Sequence, residues 1–124
     1  MANFEVTDDS FSFKIESKWY NKTKKLLNSL RKEEYSVFVS YTSYVEIDDD
    51  FPRTMSFEIK SLKKENYTMR FRLDLCDDVS TNLLRKVVAF YRLTRKQNVV
   101  IEATANDGRI TFKVILPENV RPSS

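Results

Sequence analysis

The sequence predicts an α+β fold: a single antiparallel β-sheet, in the order ββαβββαββ, with two helices packed on one face. Three observations predict it. Apolar and polar residues alternate at period two along seven segments. Two intervening segments switch to helical spacing. Turn signals between neighbouring strands mark hairpins. At 124 residues the chain predicts one domain, 1–124, with 117–124 as a loose C-terminal tail.

Each element follows from its residues. Phe4 and Val6 alternate with polar neighbours, and Thr7-Asp8-Asp9-Ser10 reads as a turn. Phe11, Phe13 and Ile15 then share one face, opposite Ser12, Lys14 and Glu16. Residues 17–32 read as a helix with Trp19, Thr23, Leu26, Leu27 and Leu30 on its apolar side. Ser17 or Asn21 is its predicted cap. A long strand runs from Tyr35 to Ile47, and Asp48-Asp49-Asp50-Phe51-Pro52 reads as a connection. Met55, Phe57 and Ile59 begin another strand, and Lys63-Lys64-Glu65-Asn66 turns the chain back. Tyr67, Met69, Phe71, Leu73 and Leu75 give the cleanest alternation.

A second helix is predicted from Val79 to Leu93, with acids before it and cations at its end, as the helix dipole favours. Val99, Ile101, Ala103 and Ala105 form a strand, and Asn106-Asp107-Gly108 is a hairpin turn that needs positive φ. Ile110, Phe112, Val114 and Leu116 close the sheet before Pro117. Without its first strand the order divides into two βαββ-like units, 11–63 and 67–116, related by topology and not by residue identity.

The counts exclude several kinds of chemistry. The chain has no His, one Cys and one Gly. A Ser-His-Asp or Cys-His catalytic set is therefore impossible, as is a His- or paired-Cys zinc site. Neither a Walker A loop nor a Rossmann fingerprint can be written with Gly108 alone. Cys76 can form no internal disulfide and reads as a small hydrophobe in an apolar run. No apolar stretch is long enough to span a membrane, and the first 20 residues do not read as a signal peptide. The predicted location is cytoplasmic, and the sequons at Asn21 and Asn66 then read as chance. No cofactor and no metal site is predicted.

One constellation points to an enzyme. Glu58-Ile59-Lys60 is an E-x-K on a strand, with Asp48 to Asp50 upstream in an αβββαβ order. In outline this resembles the PD-(D/E)xK nucleases, in which two acids hold Mg²⁺ and a lysine assists the attacking water. A strand rises about 3.3 Å per residue, so Asp49 and Glu58 are expected over about 15 Å apart, too far to share one ion. The expectation is therefore a non-catalytic protein.

Charge distribution points elsewhere. Lys and Arg total 21 against 18 Asp and Glu, a net charge of +3. Acids gather in connections, whereas bases gather on elements. The candidate nucleic-acid-binding residues are Lys18, Lys22, Lys25 and Lys32 of the first helix region and Arg85, Lys86, Arg92, Arg95 and Lys96 of the second. On one sheet face they would make one basic surface for DNA or RNA phosphates, largely insensitive to sequence. A second candidate is the open sheet face, with Phe38, Tyr44, Lys60, Arg70 and Arg72, where aromatics interleaved with cations suit stacking on single strands.

Paired βαββ-like units with two basic helices also resemble a single sliding-clamp domain in outline, which implies assembly as a ring around DNA; no residue motif carries the resemblance. The alternative function is a small protein-interaction module, such as an inhibitor, immunity or regulatory protein. Self-association into a homo-oligomer through strand edges is compatible with both.

Overall fold

The computed structural model describes residues 4–44, 48–75 and 79–117, with backbone alone at 43–44 and 48–51. The alternations produce the strands β1 (Phe4–Val6), β2 (Ser10–Lys14), β3 (Tyr35–Tyr44), β4 (Asp48–Ser61), β5 (Thr68–Asp74), β6 (Val100–Asn106) and β7 (Arg109–Ile115). Two helices interrupt them, α1 (Ser17–Ser29) and α2 (Thr81–Thr94). Along the chain a 3₁₀ turn, Lys32–Glu34, is added between α1 and β3 to the predicted order, and every described strand pairing is antiparallel.

The single predicted sheet is in fact two. β1-β2-β7-β6 form a four-stranded sheet and β3-β4-β5 a three-stranded one. Their apolar faces meet. The Phe57 ring of β4 stacks on Phe112 of β7, with centroids 4.3 Å apart and an interplanar angle of 7°. Phe11 and Phe13 of β2 lie against Phe57 at 4.9 and 5.7 Å. The reason for the correction is physical. Alternation tells which residues share a face, but not whether that face is covered by helices or by a second sheet. Here the core is largely sheet on sheet, and Phe11, Phe13, Phe57, Phe90 and Phe112 are all buried within it.

The helices therefore do not lie together on one sheet face. Each bridges both sheets. α1 packs along β6 of the first sheet, and the Oγ1 of its buried Thr23 lies 3.5 Å from Met69 Sδ of β5 in the second. α2 packs on β1 of the first sheet and on β3 and β4 of the second, and its Phe90 meets Phe11 of β2 at 5.7 Å and Phe57 of β4 at 6.5 Å.

Local signals differ in detail. α1 starts from Glu16 with no side-chain cap bond, so neither Ser17 nor Asn21 caps it. Its end comes at Ser29, and Lys32–Glu34 form a separate 3₁₀ turn. Ser80 caps α2, its Oγ accepting from the Leu83 N–H at 3.2 Å. The segment expected as a connection at Asp48 to Pro52 belongs to β4, which pairs with β3 through register shifts around Ser43. Asp107 and Gly108 both take positive φ, at 53° and 76°, as the tight β6–β7 turn requires. Cys76 and all of the predicted tail after Pro117 lie outside the described residues.

The two sheets approach along β3 and β6 without forming a ladder. One side chain takes the place of the missing strand bonds. The Tyr35 hydroxyl donates to the Ala103 carbonyl (3.3 Å) and accepts from the Ala103 N–H (3.2 Å). Burial raises the Tyr35 pKa above its ordinary value of 10.0, the backbone bond to Ala103 pulls it down, Glu102 raises it and Lys32 lowers it.

Candidate nucleic-acid interface

α1 owes its two faces to spacing. Thr23, Leu26 and Leu30 turn inward, whereas Lys18, Lys22, Lys24 and Lys25 are all exposed. Trp19 was expected on the apolar side. It lies in the first turn and is 48% exposed. Lys22 Nζ sits 4.9 Å from the Trp19 ring centroid and Lys18 Nζ 5.7 Å, so the indole supports two cations. Lys24 is a cation the sequence reading missed, and it lies 5.9 Å from the Tyr20 ring. Its signal was available: no acid interrupts the helix on either side of it.

α2 presents Arg85, Lys86 and Arg92 outward, with Arg95 and Lys96 just past its end, all exposed. The Arg95 guanidinium lies 5.3 Å from the Tyr91 ring, which meets Tyr41 edge-on at 4.3 Å. Lys32 differs from the other eight predicted cations. It is ion-paired to Glu102 at 3.0 Å. Among the described residues no carboxylate forms an ion pair with the remaining eight.

The premise for a single basic surface, both helices on one sheet face, does not hold, because the helices rest on different strands of two sheets. Neither helix takes the other as a main packing partner. α1 rests on β6 and reaches Met69 of β5, whereas α2 rests on β4, β1 and β3, so each helix carries its cations over different strands.

The residues of the predicted open sheet face all belong to the second sheet. Register sets Phe38, Glu58 and Arg70 in one row across β3, β4 and β5, with Ser40, Ser56 and Arg72 in the next and Ser36, Lys60 and Thr68 on the other side. These occupy the outer face of the second sheet, where Phe38 is 64% exposed. Arg70 Nε pairs with Glu58 Oε2 at 2.8 Å. The Tyr44 side chain lies outside the described residues. The face is otherwise rich in hydroxyls, so Phe38 is its one described aromatic.

β4 carries both parts of the nuclease-like pattern, the Asp run at its start and Glu58 near its end. Asp48 pairs with Tyr44 and Glu58 with Phe38, so six residues of β3, roughly 20 Å, separate them, and Glu58 is engaged by Arg70. Among the described residues no group of three or more acidic or thiol side chains is placed to hold a metal ion. No helix among them is long and apolar enough to cross a membrane.

A groove of about 760 Å³ lies between β5, the end of β2 and the start of α1. Lys14, Glu16, Trp19, Lys22, Arg70 and Arg72 are among the residues along it. Periodicity gave no sign of it, because it depends on how the two sheets meet.

The residues define a class: an α+β two-sheet sandwich with acid-free, cationic helices. Beyond that class, the chain matches no family model, no curated protein and no solved structure.

Proposed function

We propose that the protein binds the phosphate backbone of nucleic acid, DNA or RNA, without catalysis and without reading sequence. One observation carries the reading. α1 holds Lys18, Lys22, Lys24 and Lys25 with no acid, and α2 holds Arg85, Lys86 and Arg92 with no acid. A helix face that is merely solvated usually interleaves acids with bases, because i to i+4 pairs of opposite charge stabilise it and like-charge pairs do the reverse. Lys18 and Lys22, four apart, and Lys22 with Lys25, three apart, repel. Polyanion binding relieves that repulsion and releases condensed counterions. No groove-reading motif is present, so contact with phosphates positions the ligand without specifying bases.

The test is anisotropy of labelled single- and double-stranded oligonucleotides at two salt concentrations. Binding should weaken steeply with salt. Lys25→Glu combined with Arg92→Glu should weaken it by more than about tenfold at low salt while circular dichroism stays unchanged. Absence of binding by the parent protein at low salt overturns the reading.

A protein-interaction module is the second reading, and the groove along β5 favours it.

A further inference from the structure

β5 is an edge strand of the second sheet, paired to β4 alone. Two bonds set the direction of its backbone groups. The Ser61 N–H donates to the Tyr67 carbonyl at 3.0 Å, and the Leu75 N–H donates to the Arg53 carbonyl at 2.8 Å. In an antiparallel pair, residues alternate between facing the partner strand and facing away. The odd-numbered residues of β5 thus spend their N–H and C=O on β4. Thr68, Arg70 and Arg72 turn theirs outward, along the groove that their own strand borders.

We propose that this edge is a docking site for an extended acidic peptide, which adds to the second sheet as a fourth strand. The inference deepens the protein-interaction reading and shares only Lys22 with the nucleic-acid face proposed for the helices. Three features select the occupant. Thr68, Arg70 and Arg72 offer donors and acceptors in alternation, which another peptide strand satisfies completely. A phosphate backbone supplies acceptors only and leaves the three carbonyls without partners. The charge along the groove is positive: Lys14, Lys22 and Arg72 form no described ion pair, Arg70 is held by Glu58 from outside the groove, and Glu16 is the one acid among the described lining residues. Acidic side chains on alternate residues of the peptide would face Arg72 and its neighbours, and the intervening apolar ones would face Trp19, Ile15 and Leu73.

A second copy of this chain fits less well. Antiparallel pairing of β5 with itself about Phe71 sets Arg70 of each copy across from Arg72 of the other, on one face. Like charges directly opposed destabilise such a pairing.

Trp19 is the protein's one tryptophan and borders the groove, so its fluorescence reports occupancy. The probe is an octapeptide of alternating glutamate and valine, titrated into the full chain. A saturable change in Trp19 emission is expected. The same peptide N-methylated at every residue that faces β5 should bind at least about tenfold more weakly, because it keeps its charge and loses its strand bonds. Arg72→Pro removes one outward N–H while leaving the β4 ladder intact and should weaken binding similarly. Lys14→Glu with Arg72→Glu provides the same test should the proline variant not fold. The Lys25→Glu, Arg92→Glu protein should bind the peptide normally, which keeps a failure here distinct from a failure of nucleic-acid binding.

Four results overturn the proposal: no response of Trp19 to the peptide, equal binding of the N-methylated form, displacement of the peptide by oligothymidylate from the Lys25→Glu, Arg92→Glu protein, or a protein dimer that the Lys14→Glu, Arg72→Glu change dissociates.

Discussion

The two sheets each have an exposed-strand problem, and β6 and β5 solve it differently. At β6 the outward groups of Ala103 are both taken by the hydroxyl of Tyr35, and α1 packs alongside. At β5 the outward groups of Thr68, Arg70 and Arg72 face an open groove. An uncovered edge is a template for further pairing. The protein closes one edge with a buried tyrosine and borders the other with cations. The first arrangement is what stability requires. The second makes sense as a place for a partner, with positive charge deciding which partners are admitted.

Variants can break or sharpen this contrast. The largest effect is expected at the contact that holds both edges in place. Phe57→Ala removes a fully buried ring stacked on Phe112 and should cost about 3–5 kcal/mol in urea unfolding. It should weaken the closed and open edges alike.

Tyr35→Phe should act on the closed edge alone. It leaves the Ala103 N–H and C=O buried without partners and should cost about 1–3 kcal/mol. It should also introduce concentration-dependent association, read by sedimentation, because β6 then resembles β5. Wild-type stability without such a loss would mean that packing by α1 closes the edge unaided.

Alkaline pH probes the same hydroxyl. The folded pKa of Tyr35 is raised above its unfolded value of 10.0, chiefly by burial. Between those two values the unfolded chain binds fewer protons than the folded one, so stability falls as pH rises. The contribution is fully present below about pH 10 and is lost as pH climbs through the folded pKa. Thermal unfolding of the parent should therefore decline more steeply above that pH than unfolding of Tyr35→Phe.

The smallest effect belongs to the open edge. Arg70→Ala removes a solvent-exposed pair with Glu58 and should cost no more than about 1 kcal/mol. A larger loss would show that β5 is more tightly held than its borders imply.

Which of these features the sequence could reveal follows from their range along the chain. Phe11 with Phe13, and Met55 with Phe57 and Ile59, announce their strands through alternation alone. Asp107-Gly108 announces its turn because few residues accept positive φ. The cationic sides of α1 and α2 follow from helical spacing. The two-sheet arrangement does not, since Phe57 and Phe112 meet across the middle of the fold and no local pattern relates them. The pairing of Tyr35 with Ala103 spans 68 residues, and that of Lys32 with Glu102 is similarly remote. Lys32 therefore looked like a free cation on a helix and is neither free nor helical in α1. Trp19 followed the apolar period but lies in the first turn of α1, at the rim of a groove that exists only once β5 is in place.

The pairing of β2 with β7 carries a consequence for how the chain reaches this state. Ser12 and Arg109, joined across that pairing, are 97 residues apart. On a ribosome β2 has no partner on its inner side until β7 emerges, so Phe11 and Phe13 wait until Ile110 and Phe112 are made. Non-local pairing of this kind slows folding and prolongs the exposure of sticky intermediates. The four-stranded sheet can thus close only after the β3-β4-β5 meander, which can pair as soon as it is made.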